Sequence, residues 1–234
     1  MTHQTRFLQL AIDADALRFG EFTLKSGRVS PYFFNAGSFD SGAALVTLAA
    51  CYADAIDAAA LEFDVLFGPA YKGIPLATAL ACEFARRGRD VPVSFNRKEA
   101  KSHGEGGMLI GALLAGRRVL VVDDVITAGT AIGEALGVIA HAGGIAAGIV
   151  IALDRQEVVG GPAATADSAD PSAVPGRDER RSAAQSVMQA HGLPVVAVAT
   201  LDDLLAFVGL APTLSVEQAR LSAYRERFGC STVR

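Results

Sequence analysis

The stretch Arg117-Arg118-Val119-Leu120-Val121-Val122-Asp123-Asp124 limits the fold more than any other part of the chain. A strand with four consecutive apolar residues has both faces hidden, and such strands belong to parallel sheets covered by helices on either side. The same unit recurs. "DVLFGPAYKGIP" at 64–75 leads into helical spacing over 74–86, and "VPVSF" at 91–95 leads into a charged, Gly-rich loop. "RRVLVVDD" leads into a helix over about 131–142, "IAAGIVIALDR" into a long polar segment, and "LPVVAVAT" into "LDDLLAFV". Strand, loop and helix in repetition predict an α/β fold, a doubly wound parallel sheet flanked by helices.

The first forty residues break that rhythm. Phe7, Leu8, Leu10, Ala11, Ile12 and Leu17 follow roughly helical spacing over 5–18, and "FGEFTLKSGRVSPYFFN" then alternates around a Ser26-Gly27 turn, a hairpin pattern. We therefore expect a small N-terminal hood of helix plus hairpin over 1–40. It would pack on a core of 41–234 that opens with an Ala-rich helix at 42–60, the whole forming one globular unit. Residues 160–181, "GGPAATADSADPSAVPGRDERR", have no apolar period and are rich in Pro, Gly and small polar residues, which predicts a mobile surface insert.

Composition removes several function classes. The chain of 234 residues carries a net charge of −4, so no overall field favours nucleic acid. Cys51, Cys82 and Cys230 are far apart, which suggests neither a disulfide framework nor a zinc site and fits a reducing cytoplasm. The most membrane-like window, 135–153, is divided by Gly143-Gly144 and reads as helix, turn and buried strand, so no membrane role is expected. Asp13 and Asp15 argue against a signal peptide.

Ligands of parallel α/β sheets bind beyond the carboxyl ends of the strands, where Asp123 and Asp124 stand. The loop after them, Val125-Ile126-Thr127-Ala128-Gly129-Thr130-Ala131, opens a helix N-terminus, whose free N–H groups and dipole attract phosphate. Two carboxylates beside a phosphate cradle can accept hydrogen bonds from vicinal sugar hydroxyls, which points to a sugar phosphate. A lone Asp at such a turn is more often a helix cap. There is no GxxxxGK[ST] motif and no GxGxxG after a predicted strand. "GPAYKGIP" (68–75) forms a second loop at the same sheet edge, with Lys72 and backbone amides to offer. "NRKEAKSHGEGG" (96–107) gathers Arg97, Lys98, Lys101 and His103 beside three glycines, either as a cationic lid over an anion or as a solvated charged surface.

Taken together, "VLVVDDVITAGTA", "FGPAYKGIP", "NRKEAKSHGEGG", "ALDRQE" and the hairpin resemble the type I phosphoribosyltransferases, over residues 6–157 and again from Ser182 through "TLDDLL". The hairpin, the lid and Asp154-Arg155 resemble the members that act on orotate. The resemblance implies Mg²⁺-dependent transfer of a phosphoribosyl group from phosphoribosyl diphosphate to orotate, a step of pyrimidine biosynthesis. The products are orotidine 5′-phosphate and diphosphate. It places Asp123 and Asp124 against the ribose and residues 125–131 around the 5′-phosphate. Lys25, Tyr71, Lys72, Arg97, Lys98, Lys101 and His103 serve the diphosphate or the sugar, and Lys25, Phe33, Phe34, Thr127 and Arg155 the orotate. Lys101, His103, Asp123 and Asp124 are the catalytic candidates, and no protein group binds Mg²⁺ directly, the ion being held mainly by substrate and water. The resemblance further implies a homodimer whose lid reaches across the interface. The insert departs from the family pattern, and nothing carries over to it. A transferase for another base and a non-catalytic regulator are the alternatives. The Phe pair with Arg155 speaks against the first, and the intact lid without a nucleic-acid-binding segment against the second.

Overall fold

The computed structural model describes residues 1–24, 26–98, 108–127, 129–158 and 181–230. Lys25, Lys101, His103, Ala128 and all of the expected insert except Arg181 lie outside the described residues. Among the described residues, no helix is long and apolar enough to cross a membrane.

Helix α1 (His3–Asp13) starts where the Thr2 side chain accepts the Thr5 N–H. It ends earlier than the apolar spacing suggests, because Asp15 turns the chain into the left-handed region (φ 53°) and Leu17 already begins a strand. Strands β1 (Leu17–Thr23) and β2 (Val29–Phe34) pair as an antiparallel hairpin, separate from the main sheet. α1 buries Phe7, Leu8 and Ala11 in the same apolar cluster as Leu48 and Tyr52 of α2 (Gly42–Ala58). Arg6 fastens this packing from the side through an ion pair with Asp54 and a contact to Cys51 Sγ at 3.3 Å.

The core continues as β3 (Val65–Gly68), α3 (Gly73–Arg86), β4 (Val93–Asn96), β5 (Leu109–Gly111), β6 (Arg118–Asp123), α4 (Thr130–His141) and β7 (Ile145–Asp154). After the insert come α5 (Ala183–His191), β8 (Val195–Thr200), α6 (Leu201–Gly209) and α7 (Ser215–Phe228). The sheet order is β5-β4-β3-β6-β7-β8. All of its neighbouring pairs are parallel except β4 with β5. The antiparallel edge strand β5 is the one departure from the expected all-parallel sheet.

Strand β6 shows why the sheet needs two covers. Leu120 and Val122 face the cluster built by α2, α3 and α6, whereas Val119 and Val121 face Ile132, Ala135 and Ile139 of α4. Each fully buried aliphatic side chain contributes about 1.5–3 kcal/mol through lost water contact. From β3 the chain winds outward to β4, and from β6 it winds the other way to β7. The two strands are neighbours, so the switch in winding opens a crevice beyond their carboxyl ends.

Candidate active site

Two loops line that crevice. The turn from β3 to α3 is held tight by glycines: a Cβ on Gly73 would lie 2.5 Å from Pro69 Cδ and 2.7 Å from the Val122 carbonyl oxygen. No side chain fits there, so the turn lies directly against β6. The Ala70–Tyr71 peptide is cis, and the Ala70 N–H donates to Asn96 Oδ1 at 2.9 Å. Tyr71 projects into solvent, with the Lys98 ammonium 4.8 Å from its ring centroid.

The second loop follows β6. Val125 and Ile126 pack into the two cores, while Thr127, Thr130 and Ala131 are exposed on the open side. Gly129 stands before α4 at φ 77°, a left-handed conformation that other residues adopt only with strain. The helices differ at their starts in a telling way. Thr2, Ser41, Ser182 and Thr200 cap α1, α2, α5 and α6 with their side chains. No side chain caps α3 or α4, the helices that begin at the crevice, nor α7. At α3 the Gly73 and Ile74 N–H groups already donate to the Pro69 and Tyr71 carbonyls and Pro75 has none, so the first-turn amides that can cradle an anion are those of α4.

Asp123 and Asp124 stand between the two helix starts, both buried. They are not equivalent. Asp123 Oδ1 accepts the Asp124 N–H at 2.9 Å, and the Asp123 backbone carbonyl accepts the Tyr52 hydroxyl at 2.7 Å. Burial, reinforced by the negative charge of Asp124, pushes Asp123 up to about 7. Burial and the two carboxylates also raise the Tyr52 phenol, which keeps it a neutral donor. Asp124 instead carries an ion pair to Lys72 Nζ at 2.6 Å. The Asp124 carbonyl accepts the N–H groups of Ala152 and Leu153, just ahead of Arg155.

Arg155 follows β7, and its guanidinium reaches the Ser30–Tyr32 face of β2, with Cζ 5.1 Å from the Tyr32 ring centroid. Phe33 projects from the other face of that strand, against Phe22 at 5.5 Å and beneath the Arg18 guanidinium at 5.6 Å. Phe34 packs on Phe7 and Phe39 at 6.0 and 6.2 Å. The structure thus brings Arg155 to the hairpin but does not gather both phenyl rings around it. Arg97 and Lys98 line a cavity of about 1030 Å³ between the end of β4 and the outer face of α4. That cavity shares Pro69, Ala70 and Ala131 with the crevice and lies beside the Asp pair rather than around it. Tyr52 is a site neighbour without a signal in the linear sequence, its partner lying 71 residues away, while Asn96 and Glu157 stand inside the segments 96–107 and 152–157 but also bond to Ala70 and Tyr32, 26 and 125 residues away. Among the described residues, no three His, Cys, Asp or Glu side chains come together as a metal site.

The crevice at the winding switch thus holds a buried acidic pair beside the start of α4, where no side chain caps the first-turn amides. The phosphoribosyl transferase domain model matches residues 39–169, and the chain belongs to the phosphoribosyltransferase family. It is 66% identical to the orotate phosphoribosyltransferase of Xanthomonas euvesicatoria pv. vesicatoria over 230 residues, covering 98% of each chain. Identity to the orotate phosphoribosyltransferase of Stenotrophomonas maltophilia (strain K279a) is 62% over 232 residues, 99% of each. The crystal structure of the Francisella tularensis orotate phosphoribosyltransferase superposes with a TM-score of 0.79 at 38% identity, covering 95% of this chain and 98% of that one. Within the family, the chain stands among the orotate phosphoribosyltransferases.

Proposed function

We propose that the crevice binds phosphoribosyl diphosphate and transfers its phosphoribosyl group to orotate. The observation that carries this reading is the uncapped start of α4 beside the buried pair Asp123 and Asp124. The 5′-phosphate takes the amides of Thr127 to Ala131 at the start of α4, and Asp123 and Asp124 accept the ribose hydroxyls. The diphosphate lies towards Tyr71 and Lys72, with Arg97, Lys98, Lys101 and His103 supplying further positive charge. In this arrangement Lys72 leaves Asp124 for the diphosphate, so substrate replaces an internal ion pair with one external ion pair and hydrogen bonds from the ribose hydroxyls to Asp124. Substitution at the anomeric carbon passes through an oxocarbenium-like state, which buried carboxylates stabilise while cations receive the charge of the departing diphosphate.

Orotate sits between the hairpin and Arg155, whose planar fork suits a carboxylate. Lys25, Phe33, Phe34 and Thr127 complete its surroundings, Phe34 as the packed floor and Phe33 through its backbone. Mg²⁺ neutralises the diphosphate when bound, held mainly by that substrate and by water. The carboxylates of Asp123 and Asp124 offer hard oxygens that fit the ion's surroundings. The assembly is a homodimer in which the segment around Lys101 and His103 crosses to the neighbouring site, and a cytoplasmic setting fits three free, dispersed thiols. The hood of 1–40 and the core of 41–234 act as one unit around the base site.

The direct test follows the decrease of orotate absorbance with phosphoribosyl diphosphate and Mg²⁺, against adenine, hypoxanthine and uracil. Turnover of orotate alone is expected, and turnover of another base in its place would refute the assignment. Mixing Lys101→Ala chains with Asp124→Asn chains should restore part of the activity if the site is shared between subunits.

A further inference from the structure

Arg155 is not held where its backbone alone would leave it. Its Nε and Nη2 both bond to Glu157 Oε1, at 2.9 and 2.7 Å, and Nη2 reaches Ser30 Oγ at 3.5 Å. The Tyr32 hydroxyl donates to the same Glu157 oxygen at 3.3 Å, and the fully buried Tyr32 ring lies under the guanidinium and meets Tyr224 edge-on at 6.3 Å. Residues two apart reach each other here because Gln156 between them adopts φ 49°. The backbone around Glu157 is fixed in turn. The Gln156 carbonyl accepts the Cys230 N–H at 2.8 Å, the Val158 N–H donates to Phe228 at 3.0 Å, and Glu157 bridges Gly229.

An ion pair between exposed residues contributes little. This one is half-hidden, its two side chains only 19% and 12% exposed, and it grips a single edge of the fork. We propose that Glu157 is a positioning residue for base recognition. It clamps the Nε/Nη2 edge of Arg155 against Tyr32, so that the Nη1 side is presented to the carboxylate of a planar anionic base. The inference rests on the assignment of Arg155 to orotate, and it extends that assignment to the network behind the arginine. A carboxylate this close to the receptor also opposes an anionic ligand, so its net effect has a sign that experiment can read.

Steady-state kinetics on the full chain decide it. Glu157→Gln keeps the reach and loses the charge, while Glu157→Asp keeps the charge and loses the reach. Both should raise KM for orotate by roughly five-fold or more, within the usual coupling of a shared network, with KM for phosphoribosyl diphosphate changed less than two-fold. In an Arg155→Ala background, itself raised in orotate KM, Glu157→Gln should add nothing. An unchanged or lowered orotate KM in Glu157→Gln, with Arg155→Ala impaired, would overturn the positioning role alone. An unchanged orotate KM in Arg155→Ala would overturn the base-site assignment as well. If Glu157→Gln fails to fold, Tyr32→Phe carries the test, since it removes one hydroxyl from the same carboxylate. A selective rise in orotate KM supports the proposal, and no change refutes it.

Discussion

Asp123→Asn should make the protein more stable and less active, and the gain should depend on pH. An aspartate in an unfolded chain titrates near 3.9. In the folded chain, burial and the neighbouring Asp124 raise Asp123 to about 7. The folded state therefore holds this proton more tightly than the unfolded one, and ionisation works against folding. Stability contributed by this group is intact below about pH 4 and is lost as pH rises towards 7. Roughly three units at about 1.36 kcal/mol each set an upper bound near 4 kcal/mol. The Asn amide brings its own desolvation, so the expected net gain at pH 8 is about 1–2 kcal/mol. For a chain of this size that corresponds to a Tm increase of roughly 2–8 °C. Differential scanning calorimetry of both proteins at pH 5 and pH 8 is the assay, and the gap should be clearly wider at pH 8. kcat/KM should fall roughly ten-fold or more, because the ribose and the cationic transition state lose a charge. A variant less stable than the parent at pH 8, or a gap equal at both pH values, would refute the reasoning.

Lys101→Ala should lower kcat far more than it weakens binding of phosphoribosyl diphosphate, since its charge meets negative charge that grows only in the transition state. A normal kcat would remove Lys101 from the mechanism. Gly73→Ala should cost about 1–3 kcal/mol and most of the activity, because its Cβ would stand 2.7 Å from the Val122 carbonyl oxygen. Unchanged melting and turnover would show that the turn has slack. Thr200→Ala breaks the reciprocal cap between Thr200 and Asp203 and should lower stability by about 1 kcal/mol in denaturant titration. No shift in midpoint would mean that the cap is replaced by water at no loss.

Much of this architecture is legible in one dimension because its signals are local. The apolar run at 119–122, the acidic pair after it and the glycines of both loops constrain strand, site and turn within a few residues of each other. The antiparallel strand Leu109–Gly111 is too short to show alternation. Helix α7 buries only Leu221, Tyr224 and Phe228, a stripe too narrow to stand out among its charged residues. The period of a strand shows that Phe33 and Phe34 must diverge, but tertiary packing decides that Phe34 is the one turned towards Phe7 and Phe39. The Lys72–Asp124 pair and the packing of the Arg155–Glu157 pair on Tyr32 arise where separate elements meet, and no local pattern encodes a meeting. The cations around Lys101 can be read as chemistry but not as geometry.

The uncapped start of α4 has a thermodynamic consequence. Four other helices complete themselves with their own hydroxyls, whereas α4 would take its last hydrogen bonds from an anion in the crevice. With the 5′-phosphate bound there as proposed, substrate would complete the secondary structure, and its chemical potential would enter the folding equilibrium. At a free ligand concentration of a hundred times Kd, mass action adds about 2.7 kcal/mol. A cell rich in phosphoribosyl diphosphate would therefore carry marginal variants that a starved cell unfolds and degrades. The abundance of this protein would follow its substrate supply without any dedicated regulator.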